Sequence, residues 1–303
     1  MNRELLFLPG PMEGVMSPEF LRAANALELT GRWVTPFFRL SQELPKTKHF
    51  RSFLAPFAPV PTVMQIMGRD PALLVDAAKL AEDAGASGID LNFGCPSSQV
   101  TRHGAGGAIL KDPALAAEIV RQVRAAVEIP VSVKLRAGWT SPDELAGLLA
   151  AVLDGCPDLV TVHYRTVAEQ YRPLPSGERE RRFAMAAERL TGHCPWLVNG
   201  DFTTAEEMRR TAETFGAAGA MAARWFLRDP GIFRRAHGLE TPPAETMRET
   251  FFRQVVAEYP DGMPPGRAIE LSIFLWGPGN PYFKAIAGRR EPVTVPDLPE
   301  NPA

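Results

Sequence analysis

The feature that most constrains this chain is a rhythm of short β-rich runs, each followed by a stretch with helical spacing. Eight runs stand out: "ELLFLP" (4–9), "RWVTPFF" (32–38), "PTVMQIM" (61–67), "GIDLNF" (88–93), "PVSVKL" (130–135), "LVTVHY" (159–164), "WLVNG" (196–200) and "AAGAMAA" (217–223). Between them the pattern turns helical. "DPALLVDAAKLAEDAGA" (70–86) puts Leu73, Leu74, Ala77, Leu80, Ala81 and Ala84 on one stripe, with Asp70 as N-cap and Pro71 in the first turn. A polar cap followed by proline recurs at Asp112–Pro113 in 111–127 and at Ser141–Pro142 in 141–155. Strand–helix alternation calls for a parallel sheet with right-handed crossovers. Eight units over about 240 residues match the size of an α/β (β/α)8 TIM barrel. A doubly wound open sheet is the alternative, and it is disfavoured because no glycine-rich dinucleotide turn follows the first strand.

After residue 240 the rhythm changes. "TPPAETMRETFFRQVVAEYP" (241–260) and "PPGRAIELSIFLWG" (264–277) read as helices with no strand between them. The expectation is therefore a barrel over 1–240 and a small all-helical domain over 241–303, with Pro242–Pro243 as a hinge. The tail "RREPVTVPDLPENPA" is proline-rich and expected to be loosely held.

Composition narrows the class. The chain has 303 residues, 45% of them hydrophobic, enough for a large core. Its three cysteines form neither a disulfide framework nor a zinc pattern. The apolar N-terminal stretch is short and broken by Pro9 and Pro11, so no secretory leader is expected, and no run is long enough for a membrane helix. A cytoplasmic monomer without a metal is the expectation. With 33 basic and 35 acidic residues the net charge is −2, which does not advertise a nucleic-acid partner. A local basic patch on a neutral chain remains open.

In such a barrel the chemistry sits at the C-terminal strand ends. There the sequence places Met12, Glu13 and Gly14 after the first run, Arg39 near the end of the second, and Gln65 on the third. The fourth brings Asn92 and then Cys95 on a Gly-Cys-Pro corner. Lys134 and Arg136 follow on the fifth, His163 and Arg165 on the sixth, Asn199-Gly200-Asp201 on the seventh and Arg224 on the eighth. Ends seven and eight are the usual phosphate site, where backbone N–H groups and an arginine fork hold an anion. Lys134, flanked by Val133 and Leu135, needs a partner such as an electron-rich cofactor ring. Each residue also has a plain structural reading. Gln65 could be a satisfied core amide, His163 alone is more simply a core histidine, and Lys134 could reach the rim. Arg102 and His103 read as a solvated loop, and Cys156 and Cys194 as small buried residues.

Taken together, "PMEGVM" (11–16), "QIMG" (65–68), "GIDLNFGCPSSQV" (88–100), "GAGGAILKDP" (104–113), "VSVKLRAGW" (131–139), "VHYRT" (162–166), "NGD" (199–201) and "MAARW" (221–225) resemble the tRNA-dihydrouridine synthases, over residues 5–238. The finer likeness is to the bacterial C-type subfamily. The resemblance implies an FMN-bearing barrel with a helical tRNA-binding domain, in which NADPH provides the electrons that reduce the 5,6 double bond of a tRNA uridine. The C-type likeness points to position 16 of the D-loop. It makes Cys95 the general acid that protonates C5 while reduced FMN delivers hydride to C6 of a flipped-out base. An ordinary thiol, with a pKa of about 8.5, is mostly protonated at neutral pH. Pro11, Met12, Glu13, Gln65, Lys134 and His163 would then line the flavin, and Asn199, Gly200, Asp201, Ala223 and Arg224 would hold its phosphate tail. Arg39, Asn92, Arg102, Arg136, Arg165 and Arg267 would meet the uridine or the tRNA. This chain departs from the family pattern at Gly10 (usually alanine), Pro36 (an acidic residue in C-type members), Tyr164 (glycine), Ala223 (glycine) and in the acidic Glu270 of the C-terminal helix. Two other readings stand beside it: an FMN-dependent reductase of a small unsaturated molecule such as a free pyrimidine, and a non-catalytic tRNA-binding barrel.

Overall fold

The computed structural model describes residues 4–40 and 44–299. One all-parallel sheet contains β1 (Leu6–Pro9), β2 (Trp33–Val34), β3 (Phe38–Arg39), β4 (Thr62–Met67), β5 (Gly88–Phe93), β6 (Val131–Arg136), β7 (Leu159–His163), β8 (Trp196–Asn199) and β9 (Gly219–Ala222). The hydrogen-bonded order is β1–β9–β8–β7–β6–β5–β4–β2, and β3 also pairs with β4. The first strand thus pairs with the last, and the sheet curls into a (β/α)8 barrel. β1 and β2 lie side by side at its seam without a hydrogen-bonded ladder.

The second β run, expected as one strand, is two. Pro36 has no N–H to give the ladder. Between the pairs Val34↔Val63 and Phe38↔Ile66 one strand advances four residues and its partner three, so an extra residue bulges out. Beside the break, Thr35 Oγ1 accepts the Gln65 N–H at 3.0 Å and replaces part of the lost ladder.

The helices start where their caps predict. Asp70 accepts from the N–H groups of Ala72 and Leu73, Asp112 accepts from that of Leu115, and Ser141 forms a capping box with Glu144. The helix Pro71–Asp83 fully buries Leu74, Ala77, Ala78 and Ala81, while Leu73 and Leu80 are only half-buried. The stripe is turned from the expected one because this helix packs on the strands and also on the helix Pro113–Ala126.

Side chains alternate across each strand. Outward ones join the helices in one large apolar core. Leu8, Val34, Leu197 and Met221 form a separate cluster inside the barrel. The inner face of β4, β5 and β6 is instead polar, built on the register Gln65↔Asp90↔Ser132 and Asn92↔Lys134.

The helices Ala244–Ala257, Pro265–Trp276 and Pro281–Ile286 pack against the barrel. Phe251 meets Phe20 edge-on at 4.9 Å, and Phe20 meets Phe226 at 6.3 Å, so apolar contact runs unbroken from barrel to helices. The tail is not loose up to residue 299. Met263 and Val293 exchange backbone hydrogen bonds of 2.8 Å, and Val293 and Leu298 are buried. These two apolar side chains anchor the segment in the main core, which its proline content did not reveal. Residues 300–303 lie outside the described residues. Cys194 is buried as expected, but Cys156 is exposed. A Cβ on Gly155 would lie 2.5 Å from that of Val120, so glycine is needed there for close packing. The left-handed turn out of the helix then falls to Cys156, at φ +56°. No helix among the described residues is long and apolar enough to cross a membrane.

Candidate active site

A chain of hydrogen bonds climbs the polar inner face toward the cysteine. Ser132 Oγ and Gln65 Nε2 both donate to the Asp90 carboxylate at 2.6 Å. Asn92 Nδ2 donates to Gln65 Oε1 at 2.8 Å. Asn92 Oδ1 accepts from the N–H groups of Gly94 at 3.0 Å and Cys95 at 2.9 Å. Because an ionised carboxylate only accepts, Asp90 fixes which way each amide faces. Burial pushes the Asp90 pKa up, while the bonds from Ser132 and Gln65 and the charge of Lys134 oppose the shift. Asp90 was not among the residues expected at the site. The signal that could have found it is a carboxylate inside the apolar run "GIDLNF".

The corner carrying Cys95 is backed by glycines. A Cβ on Gly106, at φ +58°, would lie 3.0 Å from Cys95 Cβ and 2.8 Å from Val100 Cγ1. One on Gly107 would lie 2.6 Å from Val167 Cγ2 and 2.9 Å from the Cys95 carbonyl oxygen. The Gly107 N–H donates to that carbonyl at 3.0 Å. The glycine-rich segment therefore lets main chain press directly against the cysteine loop before a 3-10 helix, Gly106–Lys111. The Cys95 thiol itself is half-buried.

Opposite lie the cations. Lys134, beside Asn92 in the ladder, makes no hydrogen bond with a described residue. Burial brings its pKa down to about 8, with the Arg136 charge adding to the shift and Asp90 and Cys95 opposing it. Arg136 is only 3% exposed. It donates to the carbonyls of Gly94 at 2.8 Å, Thr166 at 3.0 Å and Gln170 at 2.8 Å, so it ties the cysteine loop to the loop after β7. Arg165 is buried too, donating to Arg172 O and to Asp201 Oδ2, each at 2.8 Å. The exposed Arg224 pairs with the other oxygen of Asp201. Burial and the charges of Arg136, Lys134, Arg165 and Arg224 hold the pKa of His163 well below the usual histidine range. Its Nδ1 accepts the Arg165 N–H at 3.2 Å, which assigns the remaining proton to Nε2.

Tyr164 lies flat beside His163, with ring centres 5.2 Å apart, and its hydroxyl donates to Asp201 at 3.2 Å. Its ring covers Gly200, where a Cβ would fall 2.6 Å from Tyr164 Cε1. Asn199 Nδ2 donates to Met221 O at 2.8 Å and clamps β8 to β9. After β1, Met12 is buried, Pro11 half-buried and Glu13 exposed. Gly10 and Ala223, the two exchanged positions, touch each other. A Cβ on Gly10 would lie 3.0 Å from that of Ala223.

The structure thus gathers Gln65, Asn92, Cys95, Lys134, Arg136, His163, Arg165, Asn199, Gly200, Asp201, Ala223 and Arg224 at one mouth. Arg39, at the end of β3, and Arg102, on the loop after β5, are exposed at the rim. Arg267 reaches the barrel from the C-terminal helices, donating to Gly14 O at 3.1 Å and pairing with Glu270. Tyr171, unremarked in the sequence, is 57% exposed with Arg136 5.3 Å and Arg224 5.0 Å from its ring. No group of three or more His, Cys, Asp or Glu positioned to hold a metal occurs among the described residues.

Comparison with known proteins fits this geometry. The family model for dihydrouridine synthase (Dus) matches residues 8–260. The tRNA-dihydrouridine(16) synthase of Pseudomonas syringae pv. tomato is 32% identical over 286 residues, covering 88% of each chain. That of Aquipseudomonas alcaligenes is 35% identical over 238 residues, 74% of this chain and 73% of its own. The tRNA-dihydrouridine synthase B of Pseudomonas putida is 36% identical over 185 residues, 60% of this chain and 53% of its own. On the match over residues 8–260 and these relatives, the chain belongs to the dihydrouridine synthase family.

Proposed function

We propose that this chain holds FMN in the barrel mouth, takes electrons from NADPH and reduces the 5,6 double bond of uridine 16 in the D-loop of tRNA. The observation that carries the reading is the electropositive well around His163, where four cations converge, two of them, Arg165 and Arg224, paired with Asp201. Such a well fits an anionic phosphate and the acceptor-rich edge of a flavin. The donors fit as well. Lys134 Nζ, one remaining N–H on each of Gln65 and Asn92, and His163 Nε2 are all hydrogen-bond donors. The N–H groups of Gly200, Asp201 and Arg224 have no acceptor among the described residues, which suits a phosphate tail.

Bound there, FMN would supply the hydride for C6 of the uracil. Lys134 would stabilise negative charge at the N1/O2 edge of the ring. Cys95 would hold the proton at Sγ for C5, its loop steadied by Asn92 and Arg136. Pro11, Met12 and Glu13 would border the ring from the β1 side. Tyr171 and the arginines beside it offer a surface on which a base could stack. Position 16 is favoured by the names of the relatives.

The test is dihydrouridine mapping of tRNA from cells lacking the protein, paired with the purified enzyme. Expected are a yellow protein, loss of dihydrouridine at position 16, and NADPH oxidation with unmodified tRNA but not with free uracil. The Cys95→Ala variant should keep its flavin and lose uridine reduction. A colourless protein, or one that reduces free uracil and leaves tRNA untouched, defeats the reading.

A further inference from the structure

The cations of this nearly neutral chain are unevenly placed. Residues 39–51, "RLSQELPKTKHFR", contain Arg39, Lys46, Lys48 and Arg51 against a single acid, Glu43. All four cations are exposed, and none forms an ion pair with a described residue. Neighbouring tips extend the row. Arg39 sits beside Met67 in the ladder. A Cβ on Gly68 would lie 3.5 Å from that of Leu40. The side chain of Arg69, exposed on the next tip, lies against Gly104, which follows the exposed pair Arg102–His103. The result is an arc along the tips of β3, β4 and β5 that ends at the loop carrying Cys95.

The C-terminal helices differ. Residues 241–299 hold six cations and seven acids. Four of those cations are paired, as Arg248–Glu245, Arg253–Glu249, Arg267–Glu270 and Arg289–Asp297. A phosphate approaching that surface would meet these pairs, whose charge is already satisfied, and only Lys284 and Arg290 without an ion pair to a described residue, offset by the likewise unpaired Asp261 and Glu291.

We infer that the tRNA backbone is gripped chiefly by this arc of Arg39, Lys46, Lys48, Arg51, Arg69 and Arg102, and that the helical region contributes little electrostatic attraction. The inference rests on the tRNA reading above and adds where the polyanion lies. Cations that form no ion pair with a described residue, Arg102 among them although its Nε donates to His103 at 3.1 Å, exchange small counterions for phosphates, and each such exchange steepens the salt dependence of binding. The arc would steer the RNA toward the cysteine corner while Cys95 and the flavin site receive the base.

The experiment measures tRNA affinity of the flavin-loaded enzyme against salt concentration. The variant Lys46→Gln/Lys48→Gln/Arg51→Gln removes charge but keeps polar stems on an exposed helix. It should bind tRNA at least about tenfold more weakly near 0.1 M salt, with the slope of log K against log salt shallower by about 2 to 3. Flavin content and thermal midpoint should not change. Arg69→Gln/Arg102→Gln, on separate loops, should act in the same direction. The comparison variant Lys284→Gln/Arg289→Gln/Arg290→Gln should leave the slope within one unit of wild type. If the arc variants bind like wild type, or the C-terminal variant loses more slope than they do, the inference is overturned while the enzyme remains a tRNA-dihydrouridine synthase. If the wild-type enzyme shows no salt-dependent tRNA binding, the functional reading falls with it.

Discussion

Replacing Lys134 by methionine should make the flavin-free protein more stable at neutral pH, although Lys134 is central to the proposed reaction. The lysine is held at a pKa of about 8, against 10.5 when free, chiefly because its charge is buried. In the unfolded chain it stays protonated up to about pH 10.5. Between those values the unfolded state binds more protons than the folded one, so stability rises with pH across that window. Below pH 8 both states are charged, and the folded state bears the full cost. The shift, at 1.36 kcal/mol per pKa unit, corresponds to about 3 kcal/mol. Methionine fills similar space without charge. Its gain is reduced because Asp90 loses a favourable neighbour, so the expected net effect at pH 7 is about 1–3 kcal/mol. Urea unfolding of wild type and Lys134→Met at steps from pH 7 to pH 10.5 reads the difference directly. Tyr164 and Tyr282, both raised to about 12, and Cys194, raised to about 11, tilt both curves alike and cancel in that difference. The advantage of the variant should shrink steadily as pH approaches 10.5. A variant less stable at pH 7 with no pH-dependent gap would show that the lysine is not under this strain.

Other outcomes follow from contacts already described. Gly10→Ala should destabilise the β1–β9 pairing by about 1–2 kcal/mol through the 3.0 Å approach to Ala223. The double variant Gly10→Ala/Ala223→Gly should recover most of that loss in thermal unfolding, whereas additive effects would deny the contact its role. Asn92→Ala should cost about 1–3 kcal/mol by stranding the N–H groups of Gly94 and Cys95, and hydrogen exchange at those two amides should accelerate, with unchanged exchange counting against the relay. Arg182, 4% exposed, bonds Glu169, Glu178 and the Tyr164 carbonyl and brings the Glu169 pKa down to about 2. That pair stabilises above the ordinary glutamate range and is lost as pH falls toward 2, so Arg182→Met should flatten the acid-unfolding curve in that interval; an unchanged acid limb would refute it.

Much of the barrel was legible because strand runs and proline-capped helices alternate with little interruption. The strand ends were legible for the same reason, since a parallel barrel carries all of them to one mouth. What stayed hidden depended on partners distant in sequence. The run 32–38 read as one strand, and the bulge at Pro36 that splits it is set by the register with β4. Arg136 and Arg165 were expected to meet the uridine or the tRNA, yet both are buried and engaged by backbone carbonyls and Asp201, and no local pattern announces that. The tail looked loose because Val293 and Leu298 are isolated apolar residues among prolines, and only the fold supplies the surface they bury against. The departures at Gly10 and Ala223 lie far apart in sequence, and the pairing of β1 with β9 brings them into contact.

Behind the Cys95 corner stand Gly106 and Gly107, so part of the wall there is peptide, beside the side chains of Met67 and Val100. A wall of that kind offers substitution nothing to adjust, because adding even one carbon intrudes on the corner itself. Any retuning of the sulfur's reactivity over generations would have to come from the opposite bank, through Lys134. One side of this cleft is thereby fixed in shape, and the other is where its chemistry can drift.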